Sequence, residues 1–246
     1  MRLLALLLLV ALAFGETVKV AASSSLRFAL EELKELFKRE TGHELLVSYG
    51  ASGHFYLQIK NGAPYELFLS ADERYAKLLV KEGKAERYAV FALGKLALFT
   101  VKDLPLTDYR VAASPLIKRL AVANPKYAPY GKAALEFLKN AGLYEQVKRK
   151  LVYGANAAQA FQFVVTGGAD AGLLALPLVK AYGKGRYLVL PDGLYEPVRH
   201  AAVITAAGRN SRAARAFVEF LATQKARNIL KKYGFETDVA GAEAEP

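Results

Sequence analysis

The sequence predicts an α/β protein built as two lobes, each a mixed sheet flanked by helices. Three observations carry this expectation. Short β-rich segments alternate with amphipathic helical ones along most of the 246-residue chain, the pattern of strands joined by crossover helices. The alternation falls into two blocks, about 17–95 and 98–196. A last strand and two helices then follow, so the chain crosses between lobes twice. Residues 16–95 with 200–235 are assigned to the first lobe, and 96–199 to the second. Two-lobed α/β proteins commonly hold a ligand in the cleft and close about a hinge. The expected hinge strands lie near 93–98 and 196–202.

The first block opens with a β-rich run at 17–22. Ser25 precedes a helix over 26–40, where Leu26, Ala29, Leu33 and Phe37 recur at helical spacing and Gly42 supplies the stop. Residues 44–49 read as a strand. Ser52-Gly53 begins a helix to about 61, stopped by Gly62 and Pro64. A strand at 67–70, a helix over 73–81 and a strand at 95–101 follow. The second block gives a strand at 119–123, then a helix from Pro129-Tyr130 to 141. It continues with a strand at 151–153, a helix over 156–166 ended by Gly167-Gly168, and strands at 171–174 and 187–190. The returning strand is 198–205, and helices to 222 and over 224–232 complete the pattern.

The ends of the chain read differently. Arg2 precedes an apolar run from 3 to 14, too short for a stable membrane span. Ala13-Phe14-Gly15 offers small residues for cleavage, so 1–15 reads as a secretory signal peptide with Glu16 as the mature N-terminus. Residues 236–246 are small and polar and are expected to be disordered.

Composition narrows the function. There is no cysteine, which excludes disulfides, thiol catalysis and thiolate metal sites. It also excludes a lipid anchor on an N-terminal cysteine, and a free periplasmic protein fits. The formal net charge of +11 admits nucleic acid, an acidic surface or a small anion as partner. The basic residues are spread along helices among glutamates, without a dense block, so no nucleic acid is expected. A positive field does attract a dianion.

Four segments share one local design: a strand, a loop of small residues, and a helix start. They are Ala22-Ser23-Ser24-Ser25, Gly50-Ala51-Ser52-Gly53, Ala128-Pro129-Tyr130-Gly131 and Gly154-Ala155-Asn156-Ala157. Each offers backbone N–H groups at a helix N-terminus, just past the carboxyl end of a strand. Such groups and the helix dipole bind anions, and ligands of open α/β sheets bind at that edge. Ser25 and Ser52 could add hydroxyl donors. Ordinary N-capping explains any one loop equally well. None carries a basic residue, so an anion held there would rest on neutral dipoles.

At these loops the chain resembles the periplasmic molybdate-binding (ModA) family, of the type II periplasmic-binding-protein fold. The resemblance runs through Val20-Ala21-Ala22-Ser23-Ser24-Ser25-Leu26 and the stretch from Gly62-Ala63-Pro64-Tyr65 to Ser70-Ala71-Asp72. It continues through Leu120-Ala121-Val122-Ala123-Asn124-Pro125, Thr166-Gly167-Gly168-Ala169-Asp170-Ala171-Gly172 and Lys231-Lys232-Tyr233-Gly234-Phe235. It implies high-affinity binding of molybdate, or tungstate, and delivery to the permease and ATPase of an ABC importer. It implies a monomer, no cofactor beyond that ligand, and no protein ligand to the metal atom of the oxyanion. By the same resemblance Ser25 and Ser52 donate hydroxyl and backbone N–H groups, and Tyr130 and Ala157 donate backbone N–H. The family carries a ligand-contacting tyrosine after the Gly-rich strand; the matching position here is Ala175. Tyr130, where the family often has a small residue, is the candidate to supply a hydroxyl instead.

Other residues give no comparable signal. Asp72 reads as a helix cap and Asp170 as structural. His43, His54 and His200 lack metal-ligand spacing. No histidine is expected to activate Ser23-Ser24-Ser25, so an enzyme is disfavoured. A receptor for sulfate, phosphate or an organic acid is the alternative reading.

Overall fold

The computed structural model describes residues 15–239. All of the expected signal segment except Gly15, and the tail from 240 onward, lie outside the described residues. The first half contains β1 (Thr17–Ser23), a 3-10 turn at Ser24–Leu26, α1 (Arg27–Thr41), β2 (Glu44–Gly50), α2 (Ser52–Lys60), β3 (Leu67–Ser70), α3 (Glu73–Lys81) and β4 (Ala85–Gly94). The second contains β5 (Leu96–Thr100), β6 (Leu120–Ala123), α4 (Pro129–Asn140), α5 (Tyr144–Val147), β7 (Leu151–Gly154), α6 (Ala157–Val165), β8 (Ala171–Ala175), α7 (Leu176–Tyr182) and β9 (Arg186–Val189). The chain then returns as β10 (Val198–Thr205), α8 (Arg212–Leu221) and α9 (Gln224–Lys232).

The two sheets are built alike. The first has strand order β2-β1-β3-β10-β4 and the second β7-β6-β8-β5-β9. In each, three strands run parallel and the fourth in order is antiparallel to both of its neighbours. Strands β3, β5, β6 and β8 are buried at every residue, as strands covered on both faces must be. The chain passes between the sheets at Lys95, between β4 and β5, and again between β9 and β10.

Local chemistry explains the helices. Helix α1 buries Ala29, Leu30, Leu33 and Phe37, and Gly42 ends it at φ 76° with its N–H donating to Lys38 O. Asp72, Asn156, Ser211 and Thr223 each cap the helix that follows with a side-chain acceptor. The cores of the halves are continuous where they meet: Ala51 and Ala71 of the first pack with Ala128, Tyr130, Ala157 and Ala175 of the second.

The structure corrects three expectations. Strand β4, with ten residues, and helix α7 were not anticipated from the sequence. The start of β4, Ala85-Glu86-Arg87, has helix-forming composition, and pairing with β10 decides its state. Helix α7 continues the apolar run of β8, so periodicity does not separate the two; Pro177 starts it near its N-terminus. Residues 236–239 are not a free tail. Glu236 N–H donates to Leu93 O at 2.9 Å, Leu93 N–H returns the bond at 2.8 Å, and Thr237 is buried.

Candidate functional site

Strand ends from both sheets converge on one interface. β1 delivers Ser23 and the Ser24–Leu26 turn, and β2 delivers the start of α2. From the other half, β6 leads to α4 and β7 to α6. Three hydrogen bonds join these loops across the halves. Gly53 N–H donates to Tyr127 O at 2.9 Å. Ala158 N–H donates to Ser24 Oγ at 3.1 Å, and Ser24 Oγ–H donates to Asn156 Oδ1 at 3.2 Å. A Cβ on Gly53 would stand 2.7 Å from the Tyr75 hydroxyl and 3.0 Å from the Tyr127 backbone, so a side chain there would hold the halves apart.

The predicted site residues all lie in this region. Ser25 is buried; its Oγ is 2.9 Å from Ser23 Oγ and 3.2 Å from His200 Nε2. Ser52 is fully buried, and its Oγ accepts from Ala71 N–H at 3.0 Å. That bond uses a lone pair, and the Ser52 O–H proton meets no acceptor among the described residues. Ala157 is the first residue of α6 and Tyr130 the second of α4, so their N–H groups have no partner within their helices. Ala175 ends β8 and carries no side-chain donor.

Tyr130 differs from the rest. It is 2 % exposed, and among the described residues its hydroxyl has no hydrogen-bond partner. Burial pushes the phenol well above its ordinary pKa, the Tyr195 phenol adding to the rise and nearby Ser25 opposing it. The group is therefore a protonated donor beside Ser25. A Cβ at Gly94 would stand 1.9 Å from this hydroxyl, so only glycine at 94 leaves the phenol its place.

Sequence reasoning missed three participants. Ser24 bridges the halves, Ala158 contributes the amide that meets it, and His200 is buried against Ser25. The sequence did not reveal that a histidine lies beside the serines: β10 brings one from 175 residues away. Burial drives the His200 pKa down to about 4, the Val198 carbonyl opposing the shift. Its Nδ1 meets that carbonyl at 3.0 Å, not the carboxylate that orients the histidine of a hydrolase triad. Among the described residues, no hydrogen bond of Ser23, Ser24, Ser25 or Ser52 runs to a charged side chain, and no group of three His, Asp or Glu residues could hold a metal ion. The arrangement is a buried set of neutral donors.

The family model of bacterial extracellular solute-binding proteins matches residues 18–236. The chain is 42% identical over 234 residues to the molybdate-binding protein ModA of Azotobacter vinelandii, covering 93% of each. It is 38% identical over 228 residues to ModA of Rhodobacter capsulatus, covering 92% of this chain and 90% of that one. Among solved structures, it is similar to the periplasmic molybdate-binding protein of Azotobacter vinelandii, with TM-score 0.84, 33% identity, and 89% of this chain and 98% of that one covered.

Proposed function

The chain belongs to the bacterial extracellular solute-binding proteins, and on that premise we propose that it captures molybdate outside the cytoplasm and hands it to an ABC importer. Its molybdate-binding relatives support the ligand, and the relative described as periplasmic supports the compartment. The partners are a membrane permease and its ATPase; the protein acts as a monomer, and no helix among the described residues is long and apolar enough to cross a membrane.

The observation that carries the reading is the buried Tyr130 hydroxyl, a donor with no hydrogen-bond partner among the described residues. An unmade hydrogen bond of a buried group costs about 1–3 kcal/mol, and an acceptor-only oxyanion removes that cost. Tyr130 O–H and Ser52 O–H, with the helix-start amides of Tyr130 and Ala157, form a donor set drawn from both halves. Ser25, Ser24 and the Ala158 amide adjoin it. Ala175 borders the set without adding to it, and Tyr130 supplies the phenol that position 175 lacks. The oxyanion's metal atom has no protein ligand; its oxygens meet the donors. Binding bridges the halves and so favours the closed form.

Selectivity follows from size and protonation. Sulfate is smaller than molybdate and leaves donors out of reach. Phosphate near neutral pH carries a proton and needs an acceptor, whereas this set donates. Tungstate matches molybdate in size and charge and binds comparably. Titration calorimetry of the chain from Glu16 with the four anions tests this. Molybdate and tungstate bind alike, and sulfate is weaker by roughly tenfold or more for each charged hydrogen bond lost. Equal binding of sulfate, or no binding of molybdate, contradicts the proposal.

A further inference from the structure

We propose that His200 is a positioning residue of the anion site: its neutral ring holds the Ser25 hydroxyl proton, and anion capture frees that proton for the ligand by protonating the ring. This rests on the oxyanion reading above. The bonding directions follow from the atoms. His200 Nδ1 lies 3.0 Å from Val198 O, and a carbonyl only accepts, so Nδ1 carries the hydrogen of the neutral ring. Nε2 is then a lone pair 3.2 Å from Ser25 Oγ, and Ser25 must be the donor. Ser23 Oγ, 2.9 Å away, donates in turn to Ser25. The one proton on Ser25 is committed to His200, and an anion arriving there faces an oxygen lone pair.

Two rearrangements resolve this conflict. Ser25 can rotate away, which strands a buried lone pair on Nε2. Alternatively, one proton enters from solvent and binds Nε2, the cation donates to Val198 O and to Ser25 Oγ, and the Ser25 O–H turns to the anion. The second leaves every group paired. It also sets a positive ring beside a dianion in a dry site, where the attraction is strong. One proton is gained per anion bound and lost on release; no other bond changes.

The surroundings keep the ring neutral until an anion arrives. Phe91 of β4, Phe235 of the C-terminal segment and Tyr130 of α4 pack on it, at ring-centroid distances of 6.1, 5.0 and 5.9 Å. Of these only Tyr130 is ionisable, and it stays protonated. On β10 itself, Arg199 is paired with Glu73 at 2.6 Å. Among the described residues, burial and the Val198 carbonyl set the proton affinity of His200, and no charged neighbour contributes. The ligand-free pKa is about 4, and the dianion raises it. Affinity therefore rises as pH falls between the two values, by at most about tenfold per pH unit, and is flat outside them.

Calorimetry with molybdate near pH 6, in two buffers of different ionisation enthalpy, counts the protons, and affinity is followed from about pH 5 to 8, where a histidine beside a dianion titrates. The wild type takes up a proton, approaching about one per anion at the lower end, and tightens as pH falls. In His200→Gln, whose amide nitrogen is a permanent donor, uptake and pH slope vanish, and the ligand's own protonation cancels in the difference between the proteins. In Ser25→Ala no hydroxyl needs freeing, and uptake falls below that of the wild type, with only the charge of the anion left to draw the proton. Wild-type binding without proton uptake overturns the proposal even if both variants fail to fold, and uptake that persists in His200→Gln overturns the role of His200. Failure of the wild type to bind any of the anions instead overturns the underlying function.

Discussion

The buried Tyr130 hydroxyl lies beside Ser25 and makes no hydrogen bond within normal geometry among the described residues, and its removal should have opposite effects on binding and on folding. In Tyr130→Phe the ligand-free protein loses an unpaired polar atom and keeps its packing, so its melting temperature is unchanged or higher. Molybdate affinity, by contrast, falls by about 1.5–3 kcal/mol, the worth of a hydrogen bond to a charged group. Calorimetry beside thermal melting checks both, and unchanged affinity removes the phenol from the site. At this scale the sequence was partly legible. Ser25 and Ser52 stood out because capping chemistry marks helix starts locally. His200 did not, because its partner is 175 positions away and a lone histidine within a strand carries no local sign of what faces it.

At the scale of elements, Asp170 shows how a turn is locked. It precedes β8 and accepts from the N–H groups of Lys118 and Arg119, each at 2.8 Å, and from the Lys102 ammonium. Burial alone would raise its pKa; these donors outweigh it and lower the carboxyl from 3.8 to about 2. A lowered folded-state pKa adds stability above the unfolded value, and that stability is lost as pH falls through the folded one. Allowing for the half-exposed Lys102, the contribution is about 1–2 kcal/mol. Urea denaturation should show wild-type stability dropping between about pH 4 and pH 2, a step absent in Asp170→Asn, which is also less stable at neutral pH. An identical acid profile in the two proteins refutes the assignment. Element types were legible wherever cap, stop and periodicity agreed, as in α1. They were not where only strand pairing decides, as in β4, or where a helix continues the apolar run of a strand, as α7 continues that of β8.

At the scale of the molecule, two similar sheets meet along loops joined, among the described residues, by three hydrogen bonds across the halves. So few bonds leave the closed form dependent on a bridging ligand, with movement at the crossings near Lys95 and before β10. X-ray scattering in solution should find a smaller radius of gyration with molybdate than without; no change argues against closure about these crossings. The two-block pattern of the sequence carried the lobes, because crossover helices impose alternation. The close approach of the lobes was not readable, because it depends on small residues such as Gly53 and Gly94 meeting elements distant in sequence. We propose that neutral donors from both halves surround one oxyanion. Anomalous diffraction from crystals grown with tungstate locates the tungsten atom directly. A single strong peak is expected, enclosed by Ser25, Ser52, Tyr130 and Ala157, with the Tyr130 hydroxyl on a ligand oxygen. A peak elsewhere, or one held by lysine and arginine side chains, contradicts it.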